Sequence, residues 1–134
     1  RFEDFVKENA VKKGTPNPAE AESLKEQALK RLEDLNSMTI NETNASFRLE
    51  SAYESVREAI QSFMAKEGYK PYSHEAIISY SLERKLLKEQ EAYEMDRMRQ
   101  TRNDINYRGI KIIVPEAIKA VSFANEIVNN LCKV

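Results

Sequence analysis

The sequence predicts an all-α fold, a bundle of four or five helices with antiparallel core helices. Three observations carry that reading. Apolar residues recur at i+3 and i+4 spacing along most of the 134 residues. Only 3 Gly and 4 Pro occur, too few for the turn that a β-sandwich or barrel needs about every 8–12 residues. Charged residues make up 32 % against 41 % hydrophobic, which suits a thin bundle whose helices each keep one face wet. The length is that of a single domain spanning residues 1–134, with residues 1–15 as an N-terminal extension.

Phe2, Phe5, Val6 and Val11 form a short apolar set, enough for a helical turn or two that packs on something else. Gly14-Thr15-Pro16-Asn17-Pro18 breaks the chain. Asn17 is a good N-cap, Pro18 suits the first helical position, and Glu20 stands three residues after the cap. A helix over about 18–37 follows, with Ala21, Leu24, Ala28, Leu32 and Leu35 as its buried stripe. Asn44 is the expected cap of the next helix, which carries Leu49, Ala52, Tyr53, Val56, Ala59, Ile60 and Phe63 and stops at Glu67-Gly68. Tyr69-Lys70-Pro71-Tyr72 reads as a loop and Ser73 as a third cap. Residues 74–107 form one helix, or two with a break near Ser79 and Ser81. The second part is dense in strong helix formers and ends at Gly109. Ile110–Val114 is β-prone but has no evident partner strand, so it reads as an extended apolar connector. Pro115 starts the last helix, whose inner face holds Ala117, Val121, Ala124, Val128 and Leu131. The methionines read as core filler. The tyrosines form no regular ladder, although Tyr69 and Tyr72 flank Pro71 and would suit the wall of a groove.

Composition excludes several classes. Lys and Arg total 21 against 22 Asp and Glu, so no net field draws in nucleic acid, while a local basic patch stays open. No apolar run approaches the roughly 18–20 residues of a membrane helix. Cys132 stands alone and His74 is the one histidine, so neither an internal disulfide nor a Cys/His zinc site is expected, and no cofactor is implied. A lone cysteine fits a reducing cytoplasm. Asn41-Glu42-Thr43 and Asn44-Ala45-Ser46 match the glycosylation sequon but read as a polar loop leading into a helix, since no signal peptide is visible. The chain begins at Arg1 rather than Met, so upstream sequence is expected.

One segment carries a pattern beyond solvated helix faces. Between Arg97 and Arg108, four arginines fall within twelve positions. Arg99, Arg102, Asn103 and Asn106 share one helical face. Guanidinium forks bind phosphate oxygens bidentately, and asparagine amides both donate and accept toward sugar or base edges. The bland alternative is a polar face tied up in ion pairs with the abundant glutamates.

The string Arg102-Asn103-Asp104-Ile105-Asn106-Tyr107-Arg108-Gly109, near the end of a long helix and followed by one last helix, resembles the signature of the HEPN superfamily. That signature is an Arg, often followed by a polar residue such as Asn, with a His after four to six further residues. The resemblance covers the helix order from about residue 18 to 132 and implies a HEPN-type bundle, usually a homodimer. In active members two motifs meet across the dimer and form a metal-independent ribonuclease site. Arg102 and Asn103 match the motif; Tyr107 stands where the histidine would be.

That departure bears on chemistry. A histidine with pKa near 6.5 has both protonation states available at neutral pH, whereas a tyrosine near 10 is deprotonated only about one part in a thousand. General acid–base catalysis is worth roughly 10²–10⁴-fold. The resemblance therefore implies RNA or nucleotide binding, with Arg102 and Tyr107 as catalytic candidates of a weak or degraded ribonuclease and Arg99, Arg102, Asn103 and Asn106 as binding residues. Tyr107 suits base stacking or a buried core ring equally. His74 is read as a capping or surface histidine, with replacement of the missing acid–base as the rival reading. Two other functions stay open: a non-enzymatic partner of a minimal nucleotidyltransferase in a toxin–antitoxin-like pair, and a purely structural helical dimer. Uncovered apolar groups at Phe2, Phe5 and residues 110–114 argue for a homodimer.

Overall fold

In the computed structural model, which describes residues 1–133, the element order is α1 (Phe2–Lys7), β1 (Val11–Lys13), α2 (Pro18–Asn36), α3 (Ala45–Glu67), β2 (Tyr69–Pro71), α4 (His74–Glu83), α5 (Glu89–Arg108) and α6 (Val114–Cys132). The fold is an all-α bundle built around α3, with one small antiparallel ribbon of β1 and β2. α3 is the most enclosed helix because small and apolar residues alternate around it: Ala45, Ala52, Ser55, Ala59, Ser62 and Ala65 are buried along with Leu49, Tyr53, Val56, Ile60 and Met64.

The small residues decide how α2 sits on α3. Ser55 Oγ donates to the Ala28 carbonyl at 2.9 Å and Ser62 Oγ to the Ala21 carbonyl at 2.8 Å. The two contacts are one heptad apart on each helix and run in opposite senses, so the pair is antiparallel. Two ion pairs flank the seam. Arg31 grips Glu58 with two bonds of 3.0 and 3.1 Å, and Asp34 lies 3.6 Å from Arg48. Glu58 and Arg48 are buried, and each has its charge partner, as burial of a charge requires. α5 and α6 are antiparallel as well, with Arg97 against Glu116 and Lys119 against Glu94.

The helix ends follow local chemistry with some corrections. Asn17 accepts from the Glu20 amide at 3.0 Å and Pro18 opens α2. Ser73 accepts from the Ala76 amide at 3.1 Å and opens α4. Gly68 and Gly109 end α3 and α5 in the left-handed conformation. Asn44 occupies the N-cap of α3 without capping it: its Oδ1 accepts from the Asn41 amide instead, closing the preceding turn. The break in residues 74–107 lies at residues 84–88, later than Ser79 and Ser81, because Ser81 bonds back to the Ile77 carbonyl inside the helix and Lys85 takes the left-handed turn. α6 begins at Val114, one residue ahead of Pro115.

The larger correction concerns the N-terminal residues and the segment expected as a loop at 69–72. Tyr69–Pro71 is a strand, paired with Val11–Lys13 in the register Val11↔Pro71, Lys12↔Lys70 and Lys13↔Tyr69. α1 precedes it and lays Phe2 between Tyr69 and Tyr80, ring centroids 4.9 and 5.2 Å away, both edge-on. Phe2 and Val11 belong to the core, so the first of the apolar groups thought to need an external cover is covered by the chain itself. Residues 110–113 carry no helix or strand and connect α5 to α6, and the Ile110 and Ile113 side chains are exposed. Leu24 and Leu131 are only partly buried in their stripes, Met38 is exposed, and the other three methionines are in the core.

Candidate functional site

The arginine-rich segment forms the second half of α5, where it crosses α3 and the start of α4. Arg102 points toward α3. Its Nη1 donates to Glu54 Oε1 at 3.0 Å, its guanidinium lies 4.7 Å above the centre of the Tyr53 ring, and its Nη2 donates to Asn103 Oδ1 at 3.3 Å. Glu54 is shared: its other oxygen accepts from Arg57 Nη2 at 2.5 Å. Arg99 turns the other way and donates from Nε to Asp96 Oδ1 at 3.2 Å, while Gln100 donates to Asp96 Oδ2 at 2.9 Å. These are the carboxylate pairs that the bland reading of the arginine face anticipates, with Asp96 as well as Glu54 as the partner.

Beneath the arginines lies a buried polar connection that the sequence did not announce. Tyr53, almost fully buried, places its hydroxyl 2.7 Å from His74 Nδ1, and the two rings stack at 5.8 Å. The far nitrogen, Nε2, lies 3.2 Å from Asp96 Oδ1, the oxygen that also holds Arg99, though off the line of a well-formed hydrogen bond. His74 is thus neither a cap nor a surface residue; its side chain is 9 % exposed. Burial, reinforced by the nearby Arg99, pushes its pKa down to about 4 against the pull of Asp96, so the ring is neutral at pH 7. Burial pushes the Tyr53 hydroxyl up to about 12, and it stays protonated. The consistent proton arrangement has Tyr53 O–H donating to Nδ1, which leaves the ring hydrogen on Nε2 facing the Asp96 carboxylate.

The remaining candidates stand apart from this cluster. Tyr107 is 84 % exposed, so it is not a core ring. Arg102 and Tyr107 are five residues apart on one helix, which turns them roughly 140° from each other. Asn106 is exposed, and Arg108 is 3.8 Å from Asp104. The structure therefore joins Arg102 to Asn103 directly and to Arg99 only through Tyr53, His74 and Asp96; it does not bring Tyr107 or Asn106 to them.

Three openings adjoin α5. A cavity of about 20 Å³ between α3, α5 and α6, bordered by Leu49, Met98 and Ala120, has room for one water at most. A shallow groove between α1, α4 and α5 is walled by Phe5, Ile78 and Leu82, with His74 and Asp96 at its polar edge. A wider groove lies where α5 ends, lined by Ser46, Phe47, Ile105, Ile110 and Lys111; Phe47, 71 % exposed, stands at its rim. Among the described residues, no three His, Cys, Asp or Glu side chains are placed to hold a metal ion, and no helix is long and apolar enough to cross a membrane. No protein-family model matches this chain, and no curated protein or solved structure is significantly similar to it.

Proposed function

We propose that this chain is a HEPN-like domain that binds RNA or nucleotide phosphates along the second half of α5, acting as a binding module and not as an efficient ribonuclease. The observation that carries the reading is the pair Arg99 and Arg102, partly exposed and held in place by carboxylates, with exposed Asn106, Tyr107 and Arg108 following on the same helix. Residues 96–109 carry four arginines and two aspartates, and each arginine also meets a carboxylate, Arg97 through Glu94 and Glu116 and Arg102 through Glu54, so phosphate would bind by adding to or displacing these pairs. Pre-oriented guanidinium groups lose little side-chain entropy when they engage phosphate, and an exposed tyrosine offers a stacking face to a base. Inefficient cleavage is what the placement of these groups supports: Tyr107 is exposed and apart from Arg102, and neutral His74 is held between Tyr53 and Asp96.

The test is a binding and cleavage assay with labelled single-stranded RNA and tRNA in the presence of chelator, with Arg102→Ala and Tyr107→Phe alongside. Binding that Arg102→Ala weakens, without cleavage, supports the reading. Cleavage lost in both variants makes the domain a working ribonuclease. Binding and cleavage both unchanged in Arg102→Ala overturn it.

A second reading is favoured by one feature. Phe47, Ile110 and Ile113 are exposed close to the end of α5, an apolar surface suited to a protein. On that reading the domain is the non-enzymatic partner of a minimal nucleotidyltransferase, or pairs with a second copy of itself. Sedimentation at micromolar concentration, alone and with a co-expressed nucleotidyltransferase, separates these from the RNA-binding reading.

A further inference from the structure

Arg99 and Arg102 sit three residues apart on α5 yet share no direct contact; what joins them runs through two other helices. Arg102 rests on the Tyr53 ring of α3, the Tyr53 hydroxyl meets His74 of α4, and His74 Nε2 faces the Asp96 oxygen that holds Arg99. Glu54, next to Tyr53, closes the other side by holding the Arg102 guanidinium. From this closed path we infer that Tyr53 and His74 are positioning residues for the arginine pair, setting the phosphate affinity of α5 from positions that do not touch the ligand. The inference rests on the binding reading given above, and it deepens it.

The physical reason lies in side-chain freedom. A surface arginine explores many rotamers, and freezing it on a ligand costs rotamer entropy. Here that freedom is already restricted. The Arg102 guanidinium is held over the Tyr53 ring, and its Nε is enclosed there without a hydrogen-bond partner. Asp96 is oriented by hydrogen bonds from Arg99 and Gln100, and the His74 ring packs against it with Nε2 3.2 Å from Oδ1, off hydrogen-bond geometry. Removal of the imidazole leaves the Tyr53 hydroxyl without its partner and opens space beside Asp96. Asp96, and with it Arg99, then loses a neighbour, and the Tyr53 ring under Arg102 loses the bond that fixes its hydroxyl, although neither arginine has been changed.

The experiment uses the full chain with Tyr53→Phe, His74→Ala and His74→Gln. Two properties are read: the NMR signals of the Arg99 and Arg102 Nε–H groups without ligand, and affinity for a short labelled single-stranded RNA. Backbone amide spectra check the fold. The wild type should give resolved, slowly exchanging guanidinium signals. His74→Ala should broaden both and lower affinity on the order of five- to tenfold, the scale of one charge-assisted contact. His74→Gln, whose amide spans part of the same path, should recover part of each. Tyr53→Phe keeps the ring under Arg102 and removes only the hydroxyl, so it should loosen Arg99 more than Arg102. Unchanged guanidinium signals in a folded His74→Ala or Tyr53→Phe protein would overturn the inference. A wild type with ordered guanidinium groups that binds no RNA would instead overturn the binding reading, because the guanidinium signals test the positioning without ligand.

Discussion

Glu54 Oε1 accepts from Arg102 Nη1 at 3.0 Å, a contact between α3 and α5 that places a carboxylate where a phosphate would be welcome. Glu54→Gln keeps an acceptor at that point and removes the charge. Stability should fall by about 1 kcal/mol, since the pair is partly exposed and screened. RNA affinity should rise roughly two- to fivefold at low salt and less at high salt, because one local negative charge is gone. Thermal denaturation and a salt series of binding curves check the two halves separately; a drop in affinity would show that Glu54 serves only to hold Arg102.

His74 supplies a pH signature. Its ring titrates near 4 in the folded protein, below the ordinary value near 6.5, because burial and Arg99 outweigh Asp96, with Glu75 and Arg102 acting in opposite senses beside them. As pH falls, the unfolded chain takes up that proton first. Stability should therefore decline from about pH 6.5 to about pH 4 and then receive no further loss from this group. Denaturant titrations across that window should show the slope in the wild type and a flatter one in His74→Gln. Glu67 adds a separate loss at lower pH, since its hydrogen bonds from Arg84 hold its carboxyl below the usual carboxylate range.

Tyr107 offers a clean separation of stacking from acid–base chemistry. It is exposed, so Tyr107→Ala should change stability by less than about 0.5 kcal/mol. If its ring stacks on a base, Tyr107→Ala should lose about 1–3 kcal/mol of binding while Tyr107→Phe retains most of it. Fluorescence titration of both variants checks this; equal loss in the two would assign the role to the hydroxyl.

Gly68 is the position least tolerant of a side chain. Its φ is +88°, and a Cβ there would come 2.3 Å from the Gly14 carbonyl oxygen and 2.9 Å from Pro16 N. Those are backbone atoms, held by the 2.7 Å bond from the Gly14 amide to the Gly68 carbonyl. Gly68→Ala should cost more than about 2 kcal/mol. Gly109, also left-handed but in open space, should tolerate alanine much better, at about 1 kcal/mol. Urea midpoints of the two variants check the contrast.

Phe2→Ala should destabilise by about 3–4 kcal/mol, the scale of a buried aromatic truncated to alanine. An extension that merely covered the surface would show almost no change in thermal denaturation.

Helix positions were legible where the chain carries local punctuation. Asn17-Pro18, Ser73, Gly68 and Gly109 act through hydrogen bonds and φ angles within a few residues, so their effects can be read in place. The β1–β2 ribbon was not, because each strand is three residues long and its partner lies far along the chain. Tyr69-Lys70-Pro71-Tyr72 carries turn chemistry, and only packing against Val11 and Phe2 makes it a strand. The arginine face was visible as a pattern, but its wiring was not. Glu54 looks like any solvated glutamate, and His74 like any residue beginning a helix; their roles arise only where α3, α4 and α5 meet.

The ribbon has a consequence for the order of assembly. α2 and α3 are neighbours in sequence and can zip together early, as local contacts do. β1 reaches β2 only by closing a loop that contains both of those helices, and closure entropy makes such a contact late. Residues 1–13 therefore behave as a clasp fastened over a hairpin already formed, secured by the 2.8 Å bond from the Tyr72 amide to the Ala10 carbonyl and by Phe2 in its aromatic seat. Under native conditions the clasp should open before the hairpin does, so hydrogen exchange at Tyr72 would run ahead of exchange along α3.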